Sequence, residues 1–95
     1  MTEVFARVRI EGSVQGVWFR AWTVKEAQSR SLRGWVRNRR DRSVEAVFAG
    51  PAESVEEMIA ACHQGSPASR VVAVHRRPAS EEDLEGDGFR QRPTE

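Results

Sequence analysis

A half-buried strand that runs through a glycine-bounded turn into a helix constrains this chain more than any other feature. Val4 to Glu11 alternates in part, with Val8 and Ile10 on one side and Arg7, Arg9 and Glu11 on the other. Gly12-Ser13-Val14-Gln15-Gly16-Val17-Trp18-Phe19-Arg20 follows and delivers an arginine at the start of the next element. A tight glycine loop can turn successive backbone N–H groups inward, as a cradle for phosphate or carboxylate oxygens. The first turn of a helix adds unpaired N–H groups and the positive end of its dipole. Arg20 supplies a planar, permanently charged fork that matches two oxygens at once. These parts converge on one small site suited to a compact anion. On their own, Gly12 and Gly16 also fit plain turn geometry, and Arg20 a surface position on a helix.

The rest of the chain punctuates itself. Ala21 to Leu32 reads as an amphipathic helix on Ala21, Val24 and Ala27, ending before Gly34. Leu32 to Asn38 and Ser43 to Ala49 read as two strands, joined as a hairpin by the polar Arg39-Arg40-Asp41-Arg42. Gly50-Pro51 breaks the second of them. Ser54-Val55-Glu56-Glu57 has the form of a capping box near the start of a second helix, whose apolar stripe is Val55, Met58, Ile59 and Cys62. Gly65-Ser66-Pro67 stops that helix, Val71 to Val74 is a fourth strand, and Phe89 anchors a short last one. Ser80 to Gly88 is acidic and glycine-bearing, and reads as a mobile loop. The order β-α-β-β-α-β predicts an α+β, ferredoxin-like split β-α-β sandwich, an antiparallel sheet with both helices on one face.

The second informative stretch is Gly34-Trp35-Val36-Arg37-Asn38, about one helix after the first. Together, Gly-x-Val-Gln-Gly-Val-x-Phe-Arg and Gly-Trp-Val-Arg-Asn resemble the acylphosphatase family, hydrolases of carboxyl-phosphate anhydrides. The resemblance runs from about Val4 to about Phe89. It implies that the backbone of Ser13, Val14, Gln15, Gly16, Val17, Trp18 and Phe19 binds the substrate phosphate together with Arg20. It implies equally that Asn38 orients the attacking water. Independent chemistry agrees, because an acyl phosphate already carries a good leaving group and needs positioning and charge stabilisation more than a covalent nucleophile. Asn38 is too weak a base to take the water's proton, so a phosphate oxygen of the substrate is the acceptor. Standing alone, Asn38 also fits a strand-end turn. The family usually has glycine where Arg42 or Ser43 stands, commonly glycine where Ser31 stands, and often Pro-Pro where this chain has Ser66-Pro67.

Composition narrows the alternatives. Ninety-five residues make a single domain, 1–95, with room for one two-layer core. No apolar run approaches the ~20 residues of a membrane helix, and Met1-Thr2-Glu3-Val4 lacks the pattern of a signal peptide. A cytoplasmic monomer without membrane partner is expected. Cys62 is the only cysteine and has no internal disulfide partner; with His63 and His75 it gives no zinc spacing, so neither metal nor cofactor is expected. The 15 basic and 14 acidic residues nearly balance, although Arg30 to Arg42 is arginine-rich and Glu81 to Asp87 acidic. Trp18, Trp22 and Trp35 read as packing groups. Ser43 to Ala49 lacks the aromatic strand motif of RNA-recognition domains, so no nucleic acid is expected. The competing function is a non-catalytic module that binds phosphate or carbamoyl phosphate, since related domains occur inside larger carbamoyl-transfer proteins. Acetyl, carbamoyl, glycolytic and aspartyl phosphates all remain open as substrates.

Overall fold

Strand β1 (Glu3–Ser13) is the spine of the sheet in the computed structural model, which describes residues 3–95. Its inward residues, Ala6, Val8 and Ile10, are fully buried, and the strand pairs antiparallel with two neighbours. These are β3 (Val44–Pro51) and β4 (Arg70–Pro78). Strand β2 (Arg33–Asn38) pairs antiparallel with β3, and β5 (Phe89–Gln91) lies parallel to β2 at the edge. The sheet order is therefore β4-β1-β3-β2-β5. The ferredoxin-like α+β sandwich stands, but the short fifth strand makes the sheet mixed rather than wholly antiparallel.

Helix α1 (Phe19–Ser29) and helix α2 (Ala52–Gln64) share one face of the sheet, where a single core forms. Val8, Ile10, Val36, Val44 and Phe48 meet Phe19, Ala27, Val55, Met58 and Cys62 there. Each such large side chain contributes about 1.5–3 kcal/mol by leaving water. The α2 stripe is the expected one. In α1 the phase differs: Phe19, Thr23 and Ala27 are buried, while Ala21 is exposed. The buried stripe starts two residues before the expected one, because Phe19 belongs to the helix and not to the loop. Phe19 instead sets the phase, and the buried Thr23 hydroxyl donates to its carbonyl at 2.8 Å.

Both helix ends depart from the sequence expectation in instructive ways. Helix α1 ends at Ser29 with a Schellman motif: Leu32 N–H donates to Ala27 O and Ser31 N–H to Gln28 O, each at 3.0 Å. Ser31 takes the left-handed position, φ 56°, that glycine occupies at lowest cost. Helix α2 starts a turn early, at Ala52, with Pro51 as an extended N-cap and no side-chain cap. Ser54 thus lies inside the helix, and the expected capping box does not form there.

The other face of the sheet is also covered. Trp35 is buried on it, 4.6, 4.8 and 5.6 Å beneath the guanidinium groups of Arg92, Arg37 and Arg7. Its indole N–H donates to Asp83 O at 2.6 Å. Asp83 belongs to a 3₁₀ turn (Glu81–Asp83) whose carboxylates reach back to the sheet: Asp83 to Arg7 at 2.9 Å and Glu81 to Arg33 at 3.1 Å. Glu85 pairs with Arg92 at 3.0 Å. The acidic segment expected as a mobile loop is a lid fastened to the arginine-rich strands.

Candidate active site

At the first α1 turn, backbone groups are left without side-chain partners, an arrangement that suits an anion. Gly16 and Trp18 are left-handed, at φ 74° and 63°, whereas Gln15 and Val17 keep negative φ. Alternation of that kind turns successive N–H groups to one side. A Cβ at Gly16 would meet nothing within 4 Å, so the backbone conformation and not packing calls for glycine there. Trp18 is the N-cap of α1 and provides no side-chain cap, nor is there an acidic residue in the first turn. The N–H groups and dipole of the helix end are therefore uncompensated. Gly12 has a different task. A Cβ there would lie 2.1 Å from Arg70 O, at the point where the β1–β4 register shifts; glycine lets the two strands touch.

Arg20 is half-buried in α1, and among the described residues no carboxylate pairs with it. By contrast Arg7, Arg9, Arg30, Arg33, Arg37, Arg39, Arg76 and Arg92 are all in ion pairs. Across from it, Asn38 ends β2 on the helix side of the sheet, opposite Val44. Its Oδ1 is buried without a hydrogen-bond partner, a state that costs about 1–3 kcal/mol. A half-turn about the last side-chain bond would exchange the amide's oxygen and nitrogen. Arg20 and Asn38 line one pocket of about 310 Å³, with Val14, Gly16, Trp18, Phe19, Ala21 and Gln91.

The remaining residues of the expected cradle have other places. Ser13 ends β1, paired with Arg70. Val17 packs against the core. The Gln15 side chain donates to Arg39 O and Ser43 O, both at 2.8 Å, and so ties the loop to the β2–β3 hairpin. The sandwich thus brings the two motifs together through a glutamine that belongs to the first. Residues 6–91 match the acylphosphatase family.

The chain belongs to that family. An acylphosphatase from Rhizorhabdus wittichii is 58% identical over 91 residues, spanning 93% of this chain and 87% of that protein. The structure of an acylphosphatase from Coxiella burnetii superposes with a TM-score of 0.87 at 31% identity, over 95% of this chain and 93% of that one. An acylphosphatase from Bacillus subtilis gives 0.84 at 36% identity, over 93% and 97%.

Three features of this acylphosphatase-family chain escaped sequence reasoning. Gln91 reaches the pocket from β5, next to Val36; a three-residue strand carries too little pattern to announce it. Trp18, expected to pack, is 84% exposed at the pocket rim. Glu45 is buried on the far face and accepts from Arg37 at 2.8 Å, Arg39 at 2.9 Å and Arg7. Burial alone would raise its carboxyl, but hydrogen bonds from Arg39, Arg37 and Arg7 outweigh that and hold it below the usual range. Glu45 thereby fixes both neighbours of Asn38 from behind. Elsewhere, burial pushes the Cys62 thiol up to about 12, which removes it as a nucleophile near neutral pH.

Proposed function

We propose that this chain hydrolyses small acyl phosphates at the carboxyl–phosphate anhydride, releasing a carboxylate and inorganic phosphate. One observation carries the reading: an unpaired arginine, an uncapped helix end and an amide with an unpartnered buried Oδ1 wall the same pocket. In this reading the phosphoryl oxygens bind to Arg20 and to the amides of the Ser13–Phe19 segment, chiefly at Gly16, Trp18 and Phe19, which wall the pocket. Asn38 accepts a hydrogen bond from a water and aims it at phosphorus. The water oxygen bonds to phosphorus as the bridging P–O bond breaks, the carboxylate leaves with that electron pair, and the water's proton passes to a phosphoryl oxygen. Arg20 and the amides gain most as charge spreads over the equatorial oxygens. No side chain forms a bond to substrate, and no metal or cofactor takes part.

A module that only bound phosphate or carbamoyl phosphate would need Arg20 and the amides but not Asn38, so the unpartnered amide favours hydrolysis. The reading takes the chain as one cytoplasmic domain acting as a monomer, without nucleic-acid or membrane partner. A single core supports the one-domain part. Among the described residues no helix is long and apolar enough to cross a membrane. Hydrolysis of acetyl phosphate by purified protein in EDTA tests the proposal, beside Arg20→Ala and Arg20→Lys. Turnover in EDTA is expected, with a loss on the order of a hundredfold or more in both variants, because an ammonium cannot reproduce the two-pronged contact. No turnover, or turnover that survives Arg20→Ala, would overturn it.

A further inference from the structure

Strand β5 ends before it reaches the level of Asn38. Its last residue, Gln91, lies opposite Val36, so β5 leaves the outer edge of β2 open from Arg37 onward. An open edge carries unpaired backbone groups. Residues 92–95 fill this stretch without forming a strand. Arg92 N–H donates to Val36 O at 2.9 Å, Glu95 N–H to Asn38 O at 3.1 Å, and Arg40 N–H to Glu95 O at 3.1 Å. On the inner side, Arg39 N–H donates to Ser43 O at 2.9 Å. The peptide group that joins Asn38 to Arg39 is therefore held at both ends, its N–H by the hairpin and its carbonyl by Glu95. Side chains anchor the tail as well. Arg92 lies over Trp35 and pairs with Glu85, and the Glu95 carboxylate accepts from Arg37 at 3.0 Å. Arg37 is itself buried and donates to Glu45 at 2.8 Å.

We propose that Glu95 is a positioning residue for turnover, acting through the backbone of Asn38. The inference rests on the hydrolytic reading above. Glu95 does not line the phosphate pocket. What it controls is a torsion. With the Asn38 carbonyl bonded to Glu95, rotation about the Cα–C bond of Asn38 is restrained. The Asn38 side chain then keeps one direction relative to the hairpin, and so to the loop that Gln15 ties to that hairpin. An amide that aims a water has to hold its place closely, since a displacement of about 1 Å can cost a hundredfold in rate. The part of Glu95 that does this is its N–H. Its carboxylate is largely exposed and only brings the tail to Arg37, a contact of small weight in water. Removing the N–H should therefore cost turnover, and removing the carboxylate should cost little.

The test compares Glu95→Pro with Glu95→Ala, since both lack the carboxylate and only proline lacks the N–H. With acetyl phosphate, kcat should fall about tenfold in Glu95→Pro and stay within about threefold of the unchanged protein in Glu95→Ala. The inhibition constant of inorganic phosphate should stay within about twofold in both. In an Asn38→Ala background, Glu95→Pro should cost less than about twofold in kcat, because the group it positions is already gone. A merely structural role would carry the same tenfold loss into that background. That result overturns the proposal, as does equal kcat in the two Glu95 variants or phosphate affinity lost in step with kcat. A spectroscopic readout separates this claim from the hydrolytic one. The order parameter of the Asn38 side-chain amide should fall in Glu95→Pro and hold in Glu95→Ala. If nothing is hydrolysed but that difference is seen, Glu95 stands as the group that positions Asn38 and the hydrolytic reading falls. Equal order parameters in the two variants overturn the positioning role whatever the turnover.

Discussion

Ser31 and Arg42 both sit where an L-residue is strained, at φ 56° and 78°. Ser31 closes α1 and Arg42 lies in the β2–β3 hairpin, where its N–H donates to Arg39 O at 3.1 Å. The family resemblance puts a glycine at Ser31 and at Arg42 or Ser43, and of these Ser31 and Arg42 take the left-handed conformation that glycine adopts most easily. Ser31→Gly and Arg42→Gly should therefore each stabilise the fold by roughly 0.5–1 kcal/mol, after the extra chain entropy of glycine is offset. The double variant should sum the two, since they share no partner. Urea midpoints at constant m-value check this; a loss of stability in either variant would mean that its side chain makes contacts the backbone argument omits. At this scale the sequence was informative where chemistry depends on residue type. Arg20, Gly16 and Asn38 were singled out from their types and settings. Gln15 was placed in the cradle, and nothing in its local pattern foretold that its amide would bridge to Arg39 and Ser43.

Among the elements, β3 carries the least expected burden, because its outward residue Glu45 gathers three arginines on a face that alternation alone would leave to solvent. The lid that covers this face adds Asp83 and Glu81. Asp83 is held low chiefly by the Ser80 backbone N–H, and Glu81 by its hydrogen bonds from Arg33. Their carboxyls, like that of Glu45, ionise more readily in the fold than in the unfolded chain, so the unfolded chain takes up protons first as pH falls. The stability they contribute is complete above the ordinary values, 4.5 for Glu and 3.8 for Asp. It is lost as pH drops through those values toward the lower folded ones. Denaturation midpoints should be level from about pH 7 to 5.5 and fall steeply below about 4.5. In Glu45→Gln the fall should be shallower, from a lower starting stability. An equally steep fall in that variant would show that the arginine cluster does not set the acid response. None of this was legible beforehand: the arginine-rich and acidic segments were visible, but their pairing spans up to 76 residues of sequence, and no local pattern encodes contacts at that range.

For the whole molecule, the order and type of the elements were readable because glycine or proline marks four junctions, β1–α1, β3–α2, α2–β4 and β4–β5, and the polar Arg39-Arg40-Asp41-Arg42 run marks the hairpin. Two element starts were misplaced for opposite reasons. Phe19 looked like loop and is the first buried residue of α1, whereas Ser54 looked like a cap and lies inside α2. Neither error moved the site, because β1, the loop and β2 hold their positions through sheet register and Gln15. What the sandwich accomplishes is to bring Gly16, residues 18–21 and Asn38 to one pocket while the far face is locked by arginine and carboxylate. In the proposed reaction the pocket's two sides divide the work: the loop and Arg20 bind phosphate, and Asn38 serves turnover alone. The most direct test of that division is the inhibition constant of inorganic phosphate measured beside kcat in Asn38→Ala. The expected result is phosphate affinity within about twofold of the unchanged protein, with kcat lower by about a hundredfold or more. Affinity lost in step with kcat would contradict it and make Asn38 part of the phosphate cradle.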